Sequence, residues 1–106
     1  MKHKGQLALL ILLGISLATP GFAQQSGEAT YKAKCSMCHG ADGLGQTPAG
    51  KAMKANSFKS DADVKASDAD LTKITKEGKG KMPAYAGKLT DDQIQEVVTY
   101  IRTLQK

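Results

Sequence analysis

The chain has no tryptophan, only two phenylalanines and three tyrosines in 106 residues. So few aromatics leave little bulk for a core made of side chains alone. Only two cysteines are present. That excludes a disulfide-rich scaffold and a four-cysteine zinc site. No stretch alternates apolar and polar residues over the length of a strand, so no sheet is expected. There is no internal repeat. No dense basic stripe with interleaved aromatics occurs either, which argues against nucleic acid as a partner. Gly43-Leu44-Gly45 is not a phosphate loop, because no strand precedes it and no Gly-Lys-Ser/Thr follows. No acid/base pair or activated nucleophile stands out, so no enzyme chemistry is expected.

What is present begins with a leader. Met1-Lys2-His3-Lys4 is basic, Leu7 to Ala18 is apolar, and small Gly21 and Ala23 lie at −3 and −1 before Gln24. These are the three parts of a secretory signal. The apolar run falls short of the ~20 residues that span a bilayer. Residues 1–23 are therefore expected to be a cleaved signal peptide and 24–106 one domain, with an uncleaved anchor as the alternative. Export to a bacterial periplasm, or to a compartment like the thylakoid lumen, follows, with no stable membrane insertion after cleavage. The formal net charge of +5 includes Lys2 and Lys4, so the mature chain is only mildly basic. A domain this small usually needs a staple or a prosthetic group.

Cys35-Ser36-Met37-Cys38-His39 supplies one. Two cysteines two residues apart with a histidine directly after them read as covalent attachment of a c-type haem. Each thiol would add to one vinyl group of the same macrocycle, and i,i+3 on a helix puts both on one side. His39 would be the proximal iron ligand. Three other chemistries compete for the motif. A thioredoxin-like pair should sit near a βαβ pattern and needs no histidine. Zinc needs four ligands, and only three Cys/His candidates lie outside the leader. A plain disulfide suits an exported chain. Motif and leader together favour haem, and a chain whose core depends on it should be largely unfolded without it.

The second axial position suits a soft thioether. Met37 lies inside the motif and cannot reach the opposite face. Met53 sits in a possible helical turn, where a methionine is usually filler. Met82 lies in a loop just before Pro83, far enough along the chain to wrap round the haem. Residue chemistry favours Met82 over Met53 and leaves both open.

The coarse pattern is all-α. A first helix starts at the Ser26 N-cap, with Gly27, Tyr31, Cys35 and Cys38 on one face, and stops near Gly40. Residues 43–58 read as loop, with a helical turn around Lys51–Lys54. Asp68 caps another helix that ends at Gly78. Thr90 and Gln93 form a capping box for a last helix, with Ile94, Val97, Val98, Ile101 and Leu104 on its inner face.

On these residues the chain resembles the class I c-type cytochromes, in particular the short cytochrome c6 and c553-like soluble electron carriers. Cys35 to Gly40 matches the attachment motif. Met82-Pro83-Ala84-Tyr85, Lys88-Leu89-Thr90-Asp91 and Val98-Thr99-Tyr100-Ile101 match the later segments. The resemblance covers residues 26–105. It implies a small cytochrome c fold, three to four helices and long loops wrapped around one haem c, held by Cys35 and Cys38. His39 and Met82 would be the axial ligands, giving a monomeric one-electron carrier between redox proteins. It further implies that Gly27, Tyr31 and Tyr100 pack the first helix on the last, and that the Pro48 carbonyl accepts a bond from the His39 ring. Lys51, Lys54, Lys79, Lys81 and Lys88 would then surround the haem edge and meet an acidic docking surface. A five-coordinate haem that binds gas or turns over peroxide, and a haem-free thiol module, are the rival functions.

Overall fold

The computed structural model describes residues 14–15 and 22–106. Most of the expected signal peptide lies outside the described residues. Helix α1 runs Phe22–Lys34 and so begins four residues before the expected cap at Ser26. Nothing in Ala23-Gln24-Gln25 breaks a helix, so the last turn of propensity before Ser26 extends it. The chain kinks at Cys35 and resumes as α2, Ser36–His39. The Ser36 hydroxyl donates to the Lys32 carbonyl at 2.7 Å, a back-bond of the kind that bends helices. Gly40 ends α2 with a φ of +82°, open to glycine at no steric cost.

Helix α3, Pro48–Met53, has Thr47 as N-cap and Pro48 at its first position, where a missing N–H costs nothing. It starts three residues before the expected turn. The short α4, Asp61–Lys65, was not expected. Its five residues are too few to show an apolar period, and only the Ser60 cap marks it. Helix α5, Asp68–Glu77, is capped by Ser67 in a box with Asp70, not by Asp68. Both serine and aspartate cap well, but only Ser67 has a residue three positions on, Asp70, that can return a bond to the cap's own N–H. Helix α6, Asp91–Leu104, carries the Thr90–Gln93 box as expected.

Six helices among the described residues thus replace the three to four expected, because the first is broken and two are short. Among the described residues there is no strand, only two isolated bridges, Lys79–Met82 and Ala86–Leu89.

Helix α1 crosses α6 at Gly27. A Cβ there would run into the Glu96 backbone carbonyl, so the crossing is as close as it is because residue 27 has no side chain. One turn on, Tyr31 is wholly buried against Phe58, Val97 and Ile101, with Cys35, Tyr100 and Leu104 packed on this cluster. Tyr31 and Tyr100 meet at 5.2 Å between ring centroids, tilted by 54°, a favourable aromatic arrangement. The expected glycine-and-aromatics packing is therefore present. Ile94 and Val98 are also buried on α6, and α5 packs on that helix.

Candidate functional site

The attachment segment is held from three sides. From α1, the Tyr31 hydroxyl donates to the Gly40 carbonyl at 2.6 Å, and this bond is buried. From α3, Gly50 lies so close to α2 that a Cβ would collide with the Cys38 carbonyl. Between them, the Thr47 hydroxyl shares its hydrogen between the Met37 carbonyl at 2.6 Å and the Cys38 carbonyl at 3.1 Å. The same oxygen accepts from Gly50 N–H at 2.9 Å. These contacts satisfy the carbonyls that the end of α2 would otherwise leave unpaired.

Cys35 and Cys38 are half-buried, free thiols. Burial, and then the neighbouring Cys38, push the Cys35 thiol up to about 11. It is therefore neutral and carries no charge into the core. The His39 ring stacks on Phe58, with centroids 4.4 Å apart and planes 19° from parallel. Burial holds its pKa below the ordinary value, against a smaller opposing effect of the Asn56 backbone and Asp63. The imidazole is thus neutral, the form that binds a metal. Its Nδ1 is buried without a hydrogen-bond partner among the described residues. The Asn56 backbone lies near enough to favour a proton on the ring but not in bonding geometry. No bond joins His39 to Pro48, whose place is the first turn of α3. The expectation of a Pro48 carbonyl partner is not met, since that residue is committed to starting a helix.

Met82 is half-buried, at the end of a tight turn from Lys79. Lys79 and Met82 exchange backbone bonds at 3.2 and 2.9 Å, with Gly80 at φ +58° between them. The turn leans on the end of α5. At Gly78, φ +77°, a Cβ would lie 2.6 Å from the Met82 carbonyl. Met37 is 76% exposed and Met53 46% exposed. The structure therefore brings Cys35, Cys38 and His39 together on one turn and sets Met82 on a separate, anchored loop. Tyr85, three residues after Met82, donates its hydroxyl to the Lys34 carbonyl at 3.1 Å, which links that loop to the residue before Cys35. An open groove lined by Asp68, Thr72, Lys73, Gln95 and Thr99 between α5 and α6 includes none of these groups.

Phe58 and Thr47 are the contributors that sequence reasoning missed. Phe58 is one of two phenylalanines, alone in a polar loop, and that isolation was its only signal. Thr47 before Pro48 is a helix-start pattern that could have been read.

Two unbridged thiols one turn apart, with a neutral, half-buried imidazole beside them, fit a covalently held haem. Comparison with known proteins agrees. Residues 22–101 match the family described as cytochrome c oxidase, cbb3-type, subunit III. The chain is 36% identical to cytochrome c6 of Gloeothece citriformis over 87% of its length and 83% of that protein's. With cytochrome c6 of Leptolyngbya boryana the identity is 38% over 72% of this chain and 86% of the relative. Among solved structures, the c-type cytochrome KustC0563 superposes with a TM-score of 0.69 at 29% identity, covering 76% of this chain and 98% of that one. Cytochrome c6 from the diatom Phaeodactylum tricornutum, at 24% identity, shares the fold with a TM-score of 0.59 over 77% of this chain and 93% of that one. The chain belongs to the class I c-type cytochromes, proteins that carry one covalently attached haem c and transfer electrons rather than catalyse a reaction.

Proposed function

We propose that this cytochrome is a one-electron carrier of His/Met ligation, with His39 the proximal ligand and Met82 the distal one, and thioethers at Cys35 and Cys38. The observation that carries the reading is the placement of Met82. It is more buried than Met37 or Met53, and its loop is tied to the backbone next to Cys35. The bound haem would supply the one-electron couple of its iron. The protein's part is to fill both axial positions, so that nothing binds or leaves as the charge changes, and to raise the potential through a thioether ligand. Phe58 against His39 keeps water from that side of the ring.

Electrons would pass between this chain and other redox proteins. Lys51, Lys54, Lys79, Lys81 and Lys88 are all exposed. None of them makes an ion pair among the described residues. They are available to an acidic partner surface, in a periplasm or a compartment like the thylakoid lumen, after cleavage behind Ala23.

Redox titration with optical spectra, on the wild type beside Met82→Ala, tests the ligand set. The oxidised wild type should have a weak far-red iron–sulfur band and bind no carbon monoxide when reduced. Met82→Ala should lose the band, bind carbon monoxide and fall in potential. An unchanged spectrum and potential in the variant overturns the assignment.

A further inference from the structure

Tyr85 is bonded at every polar atom it has. Its N–H donates to the Thr75 carbonyl near the end of α5 at 3.0 Å, and its carbonyl accepts from the N–H groups of Lys88 and Leu89, each at 3.0 Å. The first of these bonds roots the loop on the end of α5, and the other two close the local turn that follows Tyr85. The hydroxyl alone crosses to the other side, to Lys34, over 51 residues of sequence. Lys34 is the last residue of α1, so its carbonyl is one that the helix end leaves without an internal partner. Through that bond the ring is held next to the backbone that leads directly into Cys35. Between Tyr85 and Met82 stand only Pro83 and Ala84, and proline restricts the backbone there. Tyr85 and Met82 are therefore joined by a short segment with little slack.

We propose that the Tyr85 hydroxyl is a positioning group that holds the Met82 loop shut against the attachment segment and so keeps Met82 on the iron. The inference rests on the reading of Met82 as the distal ligand. The tie is a single bond at the place where the loop meets α1. Its removal should shift the equilibrium of the loop and leave the rest of the core in place.

Imidazole is a suitable probe, because it binds ferric iron only when the methionine is off. It is titrated against oxidised holoprotein, and its binding rate is followed up to saturation, where loop opening limits it. Tyr85→Phe removes the hydroxyl and keeps the ring. Imidazole should bind it about two- to tenfold more tightly, the effect of one ordinary hydrogen bond, with the opening rate raised. Arg102→Lys is the control. Arg102 joins α6 to Asp68 and to the Ala66 carbonyl, each through its guanidinium. The lysine variant should lower the denaturation midpoint and bind imidazole as the wild type does. Equal imidazole binding by Tyr85→Phe and wild type overturns the proposal. So does an equal gain in Arg102→Lys, which would mean general softening. Met82→Ala separates the two readings. If it keeps the iron–sulfur band, the ligand assignment has failed. If it loses the band while Tyr85→Phe binds imidazole like the wild type, only the positioning role has failed.

Discussion

Tyr31 places a hydroxyl 2.6 Å from the Gly40 carbonyl in the interior of the molecule, directly after the His39 ligand candidate. Tyr31→Phe keeps the ring packing and leaves the Gly40 carbonyl only its bond from the Gly43 N–H. It should cost about 0.5–1.5 kcal/mol, the net worth of one hydrogen bond, measured by guanidinium denaturation of the holoprotein. A loss of under about 0.3 kcal/mol, below that range, would mean that water replaces the bond. The helical spacing of Gly27, Tyr31 and Cys35 is enough to put Tyr31 on the inner face. Its hydroxyl's partner was not legible, because Gly40 is nine residues away across a kink at Cys35. The same limit hid the stacking of Phe58 on His39.

At the scale of elements, the crossing of α1 on α6 depends on Gly27. Gly27→Ala pushes a methyl group into the Glu96 backbone, and a backbone cannot rotate away as a side chain can. The expected cost is about 1–3 kcal/mol, as for other overpacked contacts, seen as a lower thermal midpoint. A neutral or stabilising result would show that the helices can part without penalty. The cap of α6 offers a gentler test. Thr90→Ala removes the bond from Gln93 N–H to the Thr90 hydroxyl at 3.1 Å and should cost about 1 kcal/mol. That box was readable because capping is local chemistry. Helix α4 was not, because five residues carry no period, and the α5 cap fell on Ser67 because Asp70, not Leu71, can close a capping box.

For the whole molecule, the apolar interior is thin. The buried hydrophobic side chains among the described residues are Tyr31, Phe58, Leu71, Leu89, Ile94, Val97, Val98 and Ile101. Folding should therefore depend on the haem. Far-UV circular dichroism of a Cys35→Ala/Cys38→Ala variant should show most of the helix signal lost, and full native helicity would contradict the dependence. Docking through the exposed lysines predicts association rates with an acidic redox partner that fall steeply with salt. A rate flat in ionic strength removes that idea.

The sequence by itself determined the haem attachment, the all-α class and the inner faces of the first and last helices. Each of these is written in neighbours a few residues apart, where thiol spacing, capping and helical period act. Only the tertiary structure decided which methionine is sheltered, what lies against His39 and what holds the Met82 loop. Those depend on approaches such as Tyr85 to Lys34, across 51 residues. A contact of that kind exists only after several helices have packed, and no local pattern encodes it.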